Sequence, residues 1–255
     1  MASETSPAGT APAETLTAEN VTAENGTAEN RPAEASAVEP VVVWSREPED
    51  RGGTPLVVLL HGYGSDEQDL MGLVPGLPEE FTYASVRAPQ AMDGGAYTWF
   101  ELDVERLAYS SEAAKEAVEN LWAWLETVKG DHSSVTLLGF SMGMAMATSL
   151  LRTRPQEFAA VVGLSGFAVD PARGEELQGY FDDEALAAQK VPFFWGRDQE
   201  DPIIPGENID YTHQWANQSV KLTKVLYAGA GHGVVPQEIG HINEFLTHVV
   251  LKGRG

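Results

Sequence analysis

Cysteine is absent from all 255 residues. Its absence removes a disulfide framework, a thiolate metal site and a cysteine nucleophile together. Basic charge is scarce as well: 16 Lys and Arg stand against 38 Asp and Glu, a formal net charge of −22. Nucleic acid and anionic membrane surfaces repel such a chain, so neither is expected as a partner. Long apolar runs are missing. Nothing approaches the roughly 18 residues of a membrane span, so stable membrane insertion is not expected. The first forty residues hold no apolar core of a secretory leader, and the expected location is cytoplasmic.

Large apolar residues are themselves rare in residues 1–37. Ala, Glu, Thr and Pro dominate there, and Thr17-Ala-Glu-Asn20 recurs as Thr22-Ala-Glu-Asn25 and Thr27-Ala-Glu-Asn30. A segment of this composition buries too little surface to offset its ordering entropy, so a disordered tail is expected. A five-residue period is too short for a solenoid. From residue 38 to 255 the texture changes to one domain of alternating strand and helix signals. Pro55–Leu60 is a continuous apolar run, as a strand buried on both faces requires. Val41–Trp44, Phe81–Val86, Ser134–Leu138, Phe158–Leu164, Val191–Trp195 and Leu222–Tyr227 read as further strands. Ser65–Gln68 reads as a capping box opening a helix through Leu70, Leu73 and Val74. In 111–129, Val118, Leu121, Trp122, Leu125 and Val128 recur at helical spacing. Helices are also expected at 206–219 and 236–251. Alternation of this kind implies α/β architecture, a mostly parallel sheet with helices on both faces. The longest connection, Ser165–Gln189, is placed to cover part of a site.

Gly139-Phe-Ser-Met-Gly143 carries the chemistry. It follows a strand and opens a small-residue helix, the sequence form of a nucleophile elbow that holds Ser141 at the tip of a tight turn. Free N–H groups and the positive end of the helix dipole suit a developing oxyanion there. A serine hydroxyl needs a base within hydrogen-bond reach. His232 fits: it follows a late strand, in the Gly-rich loop Ala228-Gly-Ala-Gly-His-Gly233. The imidazole in turn needs a carboxylate. Asp198, Glu200 and Asp201 all lie in the loop after the preceding strand, and spacing does not choose among them. Any of the three gives the order Ser, acid, His, which is that of α/β-hydrolases. His61-Gly-Tyr-Gly64 follows the buried strand directly and is the expected second oxyanion loop. The backbone amides of Tyr63 and Met142 are the candidate donors, with His61 structural. Trp99 and Phe100 are candidates for an apolar substrate groove.

These motifs resemble the phospholipase/carboxylesterase family of α/β-hydrolases, which includes acyl-protein thioesterases and small carboxylesterases. The resemblance runs from about Pro40 to the C-terminus. It rests on Leu60-His-Gly-Tyr-Gly64, Arg87-Ala-Pro-Gln90 with Trp99-Phe100, Gly139–Gly143, Asp201-Pro-Ile-Ile-Pro205 and Gly231-His232. It implies an α/β-hydrolase fold without a large cap domain, and it selects Asp201 as the acid. The gap from Gly196 to Asp201 is two residues longer than the family's usual G-x-x-D, a departure that speaks for Asp198. The implied activity is hydrolysis of carboxylic esters of short to medium acyl chain through an acyl-enzyme, without metal or organic cofactor. Thioesterase or lysophospholipase action is the alternative within the family, and a non-catalytic binding protein is the alternative outside it. The expected partner is a small acyl ester; a homodimer is left open.

Overall fold

Strands that are apolar on both faces must sit mid-sheet under two helical layers, and the chain folds accordingly. The computed structural model describes residues 39–103 and 108–253. The tail expected over 1–37 lies outside them. The strands are β1 (Val42–Trp44), β2 (Leu56–Leu60), β3 (Thr82–Val86), β4 (Gln90–Ala91), β5 (Tyr97–Thr98), β6 (Leu102–Asp103), β7 (Ala108–Tyr109), β8 (Val135–Phe140), β9 (Ala160–Leu164), β10 (Pro192–Asp198) and β11 (Lys221–Tyr227). The α-helices are α1 (Ser111–Val128), α2 (Met142–Thr153), α3 (Asp183–Gln189), α4 (Gly206–Ser219) and α5 (Pro236–Phe245).

Seven strands form the main sheet in the order β1-β3-β2-β8-β9-β10-β11. Only β1 runs antiparallel, against β3. Two short hairpins, β4–β5 and β6–β7, stand apart from it. Register decides where the site falls. Leu60 pairs with Gly139, Phe140 with Leu164, Leu164 with Gly196, and Asp198 with Tyr227. The carboxyl ends of β2, β8, β9, β10 and β11 therefore lie side by side. The loops at those ends share one edge, where open α/β sheets bind their ligands.

Side-chain alternation along each strand separates two cores. Leu56, Val58, Leu60, Leu137, Val161, Phe193 and Trp195 face α1 to α4. Val57, Leu59, Tyr83, Leu138, Val162 and Phe194 face α5 and the turn that extends it. Helix α1 shows how the sequence sets this. Ser110 caps it by accepting the Ala113 N–H, and Ala114, Ala117, Val118, Leu121 and Leu125 form its buried stripe. Each of the large apolar side chains so buried contributes roughly 1.5–3 kcal/mol.

Two helix expectations change. The helix expected after Ser65 is a run of 3₁₀ turns, Leu70–Gly76, with Pro75 inside it. Gly72, Pro75 and Gly76 leave too few good helix formers for a cooperative α-helix. The helix expected over 236–251 is α-helical only to Phe245 and continues as a π-turn, Leu246–Leu251. The connection after β9 packs inward through Phe167, Val169 and Leu177 against Ala145 and Ile204. The buried Arg152 guanidinium ties it down, with two hydrogen bonds to Asp183 at 2.8 and 2.7 Å. Among the described residues no helix is long and apolar enough to cross a membrane.

Candidate active site

The turn from β8 into α2 is closed by glycine at the two positions where backbone meets backbone. A Cβ on Gly139 would collide with the carbonyl of Gly143, and one on Gly143 with the carbonyl of Leu60 at the end of β2. Ser141 stands between them as the N-cap of α2, at φ 53° and ψ −116°. A non-glycine residue at positive φ is strained, which is the state a nucleophile elbow imposes on its serine.

His232 reaches Ser141 from the loop after β11. Its Nε2 lies 3.0 Å from Ser141 Oγ. Its Nδ1 lies 3.1 and 3.0 Å from the two carboxylate oxygens of Asp201, and the ring packs on Phe140 at a centroid distance of 5.2 Å. The Asp201 side chain is fully buried. One of its oxygens also accepts the N–H groups of Ile203, at 2.9 Å, and Ile204, at 3.3 Å. The other two candidate acids make no hydrogen bond to the imidazole, and Asp198, expected in the loop, is the last residue of β10. Asp198 accepts the N–H of Glu200 at 2.7 Å and that of Gly231 at 2.8 Å. These backbone donors hold its carboxyl below the ordinary range, as donors to the charged form must. Glu200 is exposed.

The loop after β2 lies against the serine. A Cβ on Gly62 would come within 3.4 Å of Ser141 Cβ. Met142 is the first residue of α2, where an N–H has no acceptor within the helix. Tyr63 is next in the loop, exposed. His61 fixes this loop from beneath. Its Nε2 accepts the Ala88 N–H at 3.1 Å, so the proton resides on Nδ1, which donates to the Gly62 carbonyl at 2.8 Å. Burial pulls the imidazole below its ordinary range and keeps it neutral. Trp99 adds a bond from its indole N–H to the His61 carbonyl at 2.9 Å.

Tyr63 lines one wall of a groove of about 760 Å³. Met92, Thr98, Glu101, Leu102 and Tyr109 also line it. Trp99 and Phe100, expected from sequence in such a wall, are 2 % and 1 % exposed and belong to the core beneath it. Their neighbours Thr98 and Glu101 line the groove instead. Two other residues escape sequence reasoning. Ser165 donates its hydroxyl to the Gly233 carbonyl at 3.0 Å. Glu238 lies fully buried behind β10. Neither sits in a motif; only the shared sheet edge hints at Ser165. Among the described residues no group of three or more His, Asp or Glu side chains is arranged to hold a metal ion.

A serine, an imidazole and a carboxylate from three segments thus meet at one edge of the parallel sheet, the imidazole within hydrogen-bond distance of the other two. Residues 40–250 match the model of the family described as Phospholipase/Carboxylesterase, and the chain belongs to that family. It is thereby a hydrolase acting on esters. A relative, acyl-protein thioesterase 1 of Saccharomyces cerevisiae, is 23 % identical over 211 residues, covering 74 % of this chain and 90 % of that protein. The fold is similar to the crystal structure of esterase PE8, at TM-score 0.68 and 24 % identity, over 84 % of this chain and 100 % of that one. It is also similar to Zea mays acyl-protein thioesterase 2, at TM-score 0.65 and 20 % identity, over 82 % and 98 % of the two chains.

Proposed function

We propose that this chain hydrolyses carboxylic esters of short to medium acyl length through Ser141, His232 and Asp201. One observation carries the reading: a single imidazole spans Ser141 Oγ and the Asp201 carboxylate at hydrogen-bond distance on both sides. Asp201 accepts Nδ1–H, which leaves Nε2 free to take the serine proton as the hydroxyl attacks the acyl carbonyl. The oxyanion that forms is held by the amides of Tyr63 and Met142, the first in a loop braced by His61, the second at a helix N-terminus. The imidazolium then protonates the leaving alcohol. Water, deprotonated by the same His232, attacks the acyl-enzyme and releases the acid and Ser141. The open groove beyond Tyr63 is the proposed acyl site, with Trp99 and Phe100 supporting it from below.

A thioester or lysophospholipid substrate is the second reading, favoured by the thioesterase relatives; the machinery serves either leaving group. The test is a panel of soluble p-nitrophenyl esters and acyl thioesters of matched chain length, run with the unmodified chain and Ser141→Ala. Loss of the nucleophile is expected to cost on the order of 10⁶ in turnover and to abolish fluorophosphonate labelling. Activity or labelling that survives in Ser141→Ala would remove the serine from its role. Faster thioester than ester turnover would move the assignment to the second reading.

A further inference from the structure

The loop that carries His232 does not hold a shape by itself. Three of the six residues in Ala228–Gly233 are glycine, and Gly229 and Gly231 take φ of 79° and 60°. Glycine has the widest backbone freedom to lose, so such a loop is costly to fix. A general base nevertheless has to be held in line with its nucleophile, where an error of about 1 Å can cost 10²-fold in rate.

Two buried side chains grip this loop, one on each side of His232. Asp198, at the end of β10, accepts the Gly231 N–H with one oxygen and the Glu200 N–H with the other. Ser165, just past β9, donates its hydroxyl to the Gly233 carbonyl, while its own N–H is tied to the Gly196 carbonyl at 2.9 Å. The ends of β9 and β10 are thus laced to the residues on either side of His232. Ser165 is also strained, at φ 44°. The backbone alone would favour glycine there, since a non-glycine residue in this region costs about 1–3 kcal/mol. What the serine has that a glycine lacks is the hydroxyl on Gly233.

We propose that Ser165 and Asp198 are positioning residues that clamp the His232 loop from both sides and hold the imidazole between Ser141 and Asp201. The proposal rests on the triad reading above. Its test uses the full chain, a soluble p-nitrophenyl ester, and the variants Ser165→Gly and Ser165→Ala, with Ser141→Ala beside them. Both Ser165 variants lose the hydroxyl, but glycine relieves the strained φ and alanine keeps it. A clamp predicts that kcat falls about 10- to 100-fold in both while KM stays within about twofold. Fluorophosphonate labelling of Ser141 slows in step. The melting temperature of Ser165→Gly holds or rises, which a residue serving only the fold would not allow. Asp198→Asn, which turns one acceptor into a donor facing an N–H, is expected to show the same loss of kcat at constant KM. Turnover within about twofold of the unmodified chain in either Ser165 variant overturns the clamp, as does a loss carried by KM. If Ser141→Ala stays active, the triad reading falls and the clamp with it. If Ser141→Ala is inactive and a Ser165 variant is not impaired, the clamp alone falls.

Discussion

Replacing Glu238 by Gln removes a carboxyl that the fold buries without a counter-charge. Its side chain lies in the first turn of α5, against Gly196 of β10, so closely that Gly196 has no room for a Cβ. It is 0 % exposed, and neither oxygen has a hydrogen-bond partner of normal geometry among the described residues. Burial pushes the group up from 4.5 to about 7, with a Val235 backbone group pulling the other way. The native state therefore keeps a proton that the unfolded chain releases in this window. Protons bound in excess by the native state make stability fall as pH rises. The contribution is complete below pH 4.5 and is lost as pH passes about 7. At about 1.4 kcal/mol per pH unit, the loss comes to about 3 kcal/mol. Gln has the same shape and does not ionise. Urea unfolding of both proteins at pH 4.5 and pH 8.5 isolates the effect. The variant gains about 3 kcal/mol on the unmodified chain between the two conditions, whatever the amide itself costs, because that cost is common to both. An unchanged difference between the two proteins at the two pH values would show that Glu238 titrates alike in the folded and the unfolded chain, and the reasoning from burial would fail.

Asp201→Asn is expected to lower ester turnover about 10⁴-fold near pH 7, because the amide no longer selects the Nδ1–H tautomer of His232; Asp198→Asn, assayed alongside, should lose less, and the reverse order would exchange their roles. Gly143→Ala drives a Cβ into the Leu60 carbonyl, where backbone meets backbone and no rotamer gives relief. We expect about 3 kcal/mol of destabilisation or more, read as a lowered urea midpoint, and a midpoint unchanged from the parent would refute that packing.

Fold and site are unequally legible in the sequence. Strands such as Leu56–Leu60 announce themselves because a sheet covered on both faces demands unbroken apolar runs. The elbow is legible for a related reason, since its glycines answer collisions that any chain making this turn would meet. The 3₁₀ run at Leu70–Gly76 reads as a helix because its apolar spacing outweighs Pro75 and two glycines. Trp99 and Phe100 read as a groove wall because large aromatics after a Gly-rich loop fit a wall and a core equally well; burial, not residue type, distinguishes the two. Ser165 and Glu238 leave no local mark. A positive φ on a serine and a carboxyl without partners arise only when distant segments, β9 with the His232 loop and β10 with α5, are brought together.

The two aspartates at the end of β10 and beyond it show how a spacing anomaly resolves into two jobs. By distance from Gly196, Asp198 stands nearer the position expected of the acid. Register accounts for what it does instead. Asp198 still pairs with Tyr227 as the last residue of β10, so its side chain meets the backbone of the His232 loop at Gly231 rather than the ring. The chain must run three residues further before a carboxylate meets Nδ1, and Asp201 is there. The next residues of the loop keep it in place. An Asp201 oxygen takes the Ile203 and Ile204 N–H groups, and Ile204 is buried with Ala145, Phe167, Val169 and Leu177 while Ile203 is exposed. Ile204 is the isoleucine that anchors the loop. On the proposed reading, the two extra residues between Gly196 and Asp201 let the strand end and the loop after it each present a carboxylate. Asp198 fixes where the histidine's backbone runs, and Asp201 fixes which way its ring faces.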